Sequence, residues 1–149
     1  MTNDEALAQL NLGFRDFIPL NRELGFSIIE VNIAQAWLVA QMPFNQRWVG
    51  HRETGLLHGG VITALLDGSG AACVYLRLGQ PEPIATLDLR IDYLKPGRPA
   101  DVFTLAECIK VTRNVAFVRM TAYHDTKDQP IALGAATYMR TKTSPGGSP

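Results

Sequence analysis

Unbalanced charge is missing from this chain, and cysteines are few. Fourteen Lys and Arg offset fourteen Asp and Glu, and neither sign gathers into a run. A balanced surface with no basic face argues against nucleic acid and anionic membrane as partners. There are two cysteines, Cys73 and Cys108. They have neither CxxC nor metal-ligand spacing, so both read as reduced core thiols of a cytoplasmic protein and not as a disulfide. No basic segment follows Met1, which argues against a secretory leader. No internal repeat is visible.

What is present is enough apolar residue for one sizeable core: 46% of 149 residues. The expectation is one domain over residues 1–143, with a disordered tail at 144–149 (Ser, Pro, Gly, Gly, Ser, Pro). The chain is organised around Leu56–Leu76. Between Gly59 and Leu76 a single charged side chain occurs, Asp67. Apolar or small residues fall on every side of the helical wheel, which predicts a helix wrapped by other structure. Asp67, Ser69 and four glycines in so short a stretch favour a core helix over a membrane span. A carboxylate inside such a helix costs several kcal/mol unless it is hydrogen-bonded, paired or beside water.

Taken in order, Leu7, Leu10, Phe14 and Phe17 give an amphipathic helix from Asp4 to Ile18, capped by Asn3 or Asp4 and ended by Pro19. Residues 21–25 read as a turn. Phe26–Val31 and Ala36–Met42 read as strands. Pro43–Gly55 is irregular and leads into the central helix. Past the Gly79–Pro83 break, Thr86–Leu94 alternates, with Leu87, Leu89, Ile91 and Tyr93 on one face. Strand-like runs follow at Val102–Val111, Val115–His124 and Pro130–Arg140. Short connections predict an antiparallel meander of these last four strands. The class is α+β: about six strands in a curved antiparallel sheet, wrapped around one long helix that a second copy closes on its remaining side.

His58-Gly59-Gly60 with Asp67 nine positions after His58, together with Thr86-Leu-Asp-Leu-Arg-Ile-Asp-Tyr-Leu-Lys-Pro96, resembles the hotdog-fold acyl-CoA thioesterases of the phenylacetate-pathway and thioesterase-superfamily type. The resemblance covers residues 23–141. It implies the hotdog fold, homodimers joined sheet edge to sheet edge and often paired into homotetramers, and hydrolysis of medium-chain or aryl-acetyl-CoA thioesters without metal or cofactor. By the same match, Asp67 is the nucleophile or general base and the Gly59 N–H is the oxyanion donor. His58 is a further candidate, although its position suits a hydrogen-bonder at the helix start. Thr86 matches a polar residue that assists the carboxylate. Alternation places it with Asp88 and Arg90, so it reaches the site only through a bulge or strong twist. Arg52 stands where some relatives carry a water- or thioester-orienting Asn. Gly60, Arg52, Leu66, Arg113 and Asn114 are the substrate-binding candidates, the last two for the nucleotide of CoA.

The chemistry is consistent with these residue types. First-turn N–H groups have no intrahelical partner and carry the positive end of the helix dipole. Glycines let a substrate oxygen approach them. Asp67 supplies attack, directly or through water. Eight residues of helix place it about 12 Å from Gly59 at 1.5 Å per residue. One carbonyl cannot touch both in one chain, so two sites per dimer are expected, each at the subunit interface. The alternative in another class is a non-catalytic acyl-CoA binding module. A hotdog hydratase is disfavoured because no Asp/His pair precedes the central helix in the expected pattern.

Overall fold

The computed structural model describes residues 1–141. The expected tail at 144–149 and the last residues of the expected domain lie outside the described residues. Element order is α1 (Asn3–Asn11), a π-helical turn (Leu12–Phe17), α2 (Pro19–Leu24), β1 (Ser27–Asn32), β2 (Trp37–Met42), a 3-10 turn (Gln46–Trp48), β3 (Val49–His51), β4 (Leu56–Leu57), α3 (Gly59–Leu78), β5 (Ile84–Tyr93), β6 (Val102–Val111), β7 (Val115–Tyr123) and β8 (Ala132–Arg140). Six strands form one antiparallel sheet in the order β1-β2-β6-β7-β8-β5, and β3 and β4 form a small separate hairpin. The sheet curls around α3, which touches β2, β6, β7, β5 and β8. This is the hotdog architecture.

Alternation on the strands builds the core. Leu38, Ala40 and Met42 of β2 are fully buried, as are Val102, Thr104 and Ala106 of β6. They meet Ile62, Leu65, Leu66, Cys73 and Val74 of α3. Each large aliphatic side chain so buried contributes about 1.5–3 kcal/mol. Cys73 and Cys108 are both unpaired and buried, one in α3 and one in β6.

Two expectations need correction. The last four strands are not one meander. β6, β7 and β8 are, but β5 crosses to the far edge beside β8, and β2 takes the place next to β6. The Leu94–Asp101 connection, with Pro96 and Pro99, is too long for a hairpin and carries the chain across. The N-terminal helix is also not one regular helix. Thr2 caps α1 in a capping box with Glu5, then the chain widens into the π turn, and Pro19 opens α2 at its first position. The wider turn slips the helical phase, so Phe14 is buried and Phe17 is 84% exposed. In the single chain α3 keeps the less covered side that was expected of it: Val61, Ala64, Asp67, Ala71 and Tyr75 are only half-buried.

The two sheet edges differ. At β1, Asn11 is buried and its side-chain amide mimics a strand. It donates to the Ile28 carbonyl at 2.8 Å and accepts the Ile28 N–H at 2.9 Å. Asn21 fastens the same segment by donating to the Phe14 carbonyl at 2.8 Å. At β5 the edge is open, with Leu87 and Tyr93 about half exposed.

Candidate active site

The start of α3 is built by its neighbours. The His58 N–H donates to the Trp48 carbonyl at 2.9 Å and the Leu57 N–H to the Gly97 carbonyl at 2.8 Å. Gly50 lies against the same corner, where a Cβ would stand 2.9 Å from the His58 Cα. His58 is the N-cap: its Nδ1 accepts the Gly60 N–H at 2.8 Å, which leaves the ring proton on Nε2 of a neutral imidazole. The Val61 N–H turns to the His58 carbonyl. Among the described residues nothing takes up the Gly59 N–H. The Gly59 carbonyl is held from the other side by the Tyr93 and Thr63 hydroxyls, 3.0 and 3.1 Å away and within hydrogen-bond reach of each other, with two protons shared among the three contacts. Gly59 therefore has a fixed peptide and a donor to spare.

Asp67 lies two turns on, half-buried. Its Oδ1 accepts Thr86 Oγ1 at 2.9 Å. The strand reaches it through a bulge: Thr86 pairs with Tyr138 and Asp88 with Thr137, so Leu87 is left without a partner across the ladder. The extra residue turns Thr86 onto the face of Leu89 and Ile91, which pair with buried Ala136 and with Gly134. Leu87, expected inward, is 54% exposed instead.

Tyr138 is the residue that sequence reasoning missed. It is 1% exposed on β8, and its Oη donates to the Asp67 carbonyl at 2.8 Å and lies 3.3 Å from Oδ1. Burial, and then the Asp67 carboxylate, push the phenol well above its ordinary range and keep it a donor. Gly70 makes room for it, since a Cβ there would stand 2.2 Å from the Tyr138 oxygen. A glycine one turn past the carboxylate was the available signal. Oδ2 of Asp67 accepts no hydrogen bond from the described residues.

The other candidates are scattered. Arg52 is exposed in the β3–β4 turn. Leu66 is fully buried among core residues, so it lines no substrate path; its side of α3 faces the sheet. Gly60 is exposed at the helix start. Arg113 and Asn114 form the exposed β6–β7 turn. That turn is clamped at the Thr86 end of the sheet: Arg140 donates its N–H to the Asn114 carbonyl and Nη1 to the Thr112 carbonyl, while Glu82 grips its guanidinium at 2.5 and 2.9 Å. Among the described residues no group of three or more His, Cys, Asp or Glu side chains is placed to hold a metal ion.

Along β5 the two half-sites are separated. Thr86 and Asp67 stand at one end of the strand, Tyr93 and Gly59 at the other. Within one chain, eight helical residues keep Asp67 about 12 Å from Gly59.

Comparisons with known proteins bear on the family and the fold. The thioesterase superfamily profile matches residues 54–131, which run from the loop before α3 to the start of β8. The medium/long-chain acyl-CoA thioesterase YigI of Salmonella typhimurium is 33% identical, over 93% of this chain and 96% of that one. A solved Pseudomonas aeruginosa protein is 36% identical and superposes with a TM-score of 0.81, over 91% of this chain and 99% of that one. The PaaI protein of the Escherichia coli phenylacetic acid degradation operon, at 16% identity and a TM-score of 0.78 over 94% and 96% of the two chains, shares the fold. By profile, by sequence over nearly its whole length and by fold, the chain belongs to the thioesterase superfamily.

Proposed function

We propose that the protein hydrolyses acyl-CoA thioesters, with the Gly59 N–H polarising the carbonyl and Asp67 of a partner copy delivering the attack. The observation that carries this reading is the bulge at Leu87, which spends a ladder position to bring Thr86 onto the Asp67 carboxylate. With Thr86 on Oδ1, Oδ2 is left for chemistry: attack on the carbonyl carbon, or removal of a proton from an attacking water. The thioester C–S bond breaks, CoA leaves as the thiol, and water supplies the oxygen of the free acid. His58, with Nδ1 occupied at the cap, orients the helix start rather than exchanging protons. The Salmonella relative is a medium/long-chain acyl-CoA thioesterase, which supports the substrate class.

A second copy completes the site. If its β5 runs antiparallel to this one about a two-fold axis between Leu89 and Arg90, Thr86 of one chain stands opposite Tyr93 of the other. That register brings each Asp67 to the partner's Gly59, giving two sites per homodimer; two such dimers give the homotetramer expected from the family. β5 supports it as an open edge. Arg113 and Asn114, clamped at the Thr86 end, hold the CoA phosphates, and exposed Arg52 flanks the glycine end. The unpaired buried thiols support a reducing, cytoplasmic setting.

Asp67→Asn tests the reading. It keeps the Thr86 and Tyr138 contacts near-isosteric, and kcat is expected to fall by about 10³-fold or more, several kcal/mol of barrier. Retained turnover removes Asp67 from the mechanism. Ligand-induced stabilisation without turnover in the wild type favours the non-catalytic binding module. Hydroxylamine captures an acyl-aspartyl anhydride but not a bound water, and so separates direct attack from general-base attack.

A further inference from the structure

The hydrolytic reading uses Gly59 and Asp67 of α3 and leaves the rest of that helix face without a task. Immediately past Asp67, the helix becomes the floor of a cavity of about 630 Å³. Gly68, Ala71, Tyr75 and Gly79 run along that floor, and the roof is the chain's own N-terminal segment, with Gly13, Phe14 and Phe17 facing it. None of its lining residues carries a charged side chain. The volume lies within the range of small-molecule sites, about 300–1,000 Å³.

We propose that this cavity seats the hydrocarbon tail of a straight-chain acyl-CoA of about a dozen carbons; the proposal rests on Asp67 as the attacking group. Three observations carry it. The first is continuity: Ala71, one turn past Asp67 on the same side of α3, lines the cavity, and no lining side chain is charged, so a tail leaving a carbonyl held at Asp67 runs along the helix into it. The second is length. From Gly68 to Gly79 the floor spans about 16 Å at 1.5 Å per residue. A zigzag of C–C bonds near 1.52 Å advances about 1.3 Å per carbon, which fits about twelve carbons. An arylacetyl group fills only the near part of such a trough. The third is the roof. The π turn at Leu12–Phe17 is a rare backbone form, frequently found at functional sites. It places Gly13 over the cavity, where a Cβ would meet nothing within 4 Å. It also leaves Phe17 at the rim, apolar yet 84% exposed. A regular helix packed only for stability has no reason to leave that space open.

The test fills the cavity from each side. Gly13→Phe enters from the roof and Ala71→Phe from the floor, so a folding failure of one leaves the other. Wild type and both variants are assayed with hexanoyl-, dodecanoyl- and phenylacetyl-CoA. For the wild type, KM is expected to fall with chain length, by up to about fourfold per methylene, and to level off near twelve carbons. In either filled variant, the ratio of kcat/KM for dodecanoyl- over hexanoyl-CoA is expected to drop tenfold or more, through KM. A second readout needs no turnover: the non-hydrolysable dodecanoyl-CoA thioether is expected to raise the Tm of the wild type and not that of the variants. An unchanged ratio and an unchanged thioether shift in folded variants overturn the proposal, as does a wild-type preference for phenylacetyl-CoA. Absence of any hydrolysis together with a chain-length-dependent thioether shift overturns the hydrolase reading and upholds the tail cavity.

Discussion

Tyr138 reaches across from the last strand and ties the helix carbonyl and the carboxylate of Asp67 to one hydroxyl. Tyr138→Phe removes that donor and little volume. A hydrogen bond to a charged group is worth about 1.5–3 kcal/mol, so kcat is expected to fall about 10- to 150-fold with KM little changed. The same variant has a signature in alkali. The folded protein holds the phenolic proton well past the ordinary value of 10, whereas the unfolded chain releases it there. Unfolding therefore releases a proton above pH 10, and stability declines as pH rises through that region. Without the phenol that part of the decline is absent, so the Tm of Tyr138→Phe is expected to fall less steeply between about pH 9 and 11. Burial pushes the Cys73 thiol up as well, and it works in the same direction in both proteins. Gly70→Ala places a methyl where the tyrosine oxygen stands. Overpacking of this kind costs about 1–3 kcal/mol. A lowered Tm together with lost turnover in that variant ties the notch to the site; unchanged turnover separates them.

At the scale of elements, β5 carries one residue more than its pairing needs. Leu87 is that residue, and it is exposed. Deleting it is expected to leave Thr86 opposite Tyr138 and to retain turnover within about threefold, because the face of every other side chain is kept. Deleting Arg90 instead moves Thr86 to the outer face, and turnover is expected to fall at least to the level of Thr86→Ala. The element shows how far the sequence could be read. Leu89 and Ile91 alternate, and the strand and its inward face follow from them. Thr86 lies three residues before Leu89, an odd step that alternation assigns to the wrong face, and nothing in the composition of residues 86–89 marks the bulge. Phe17 fails for a related reason: spacing from Phe14 assumes 3.6 residues per turn, and the π turn breaks that count. Leu66 was apolar and next to Asp67 in sequence, but at 100° per residue it points into the sheet. The central helix, its glycine start and Asp67 were legible because they rest on local pattern. The crossing of β5 and the approach of Tyr138 were not, because they rest on contacts between residues far apart in the chain.

At the scale of the whole molecule, the proposed sharing of sites between subunits has a mixing test. Gly59→Pro removes the free N–H, and proline suits the first position of a helix. His58 already has φ −64° and ψ 129°, the conformation that a residue before proline adopts. Alone, Gly59→Pro and Asp67→Asn are each expected to be inactive. Refolded together in equal amounts they are expected to recover about a quarter of wild-type turnover, since half the pairs are mixed and each mixed pair holds one whole site. No recovery on mixing, with dimers demonstrated, places both groups' work within one chain. The two edges of the sheet bear on assembly in another way. Asn11 occupies the N–H and C=O of Ile28 at one edge, and β5 stays open at the other. An open strand at both ends would let sheets add to one another without limit. With Ile28 occupied at one edge, each copy is expected to have a valence of one, so that the proposed pairing through β5 ends with two copies. On the proposed pairing, the asparagine at the far edge from the chemistry is what limits the sheet, and Asn11→Ala is expected to turn a finite particle into a growing one, read as high-mass species in light scattering.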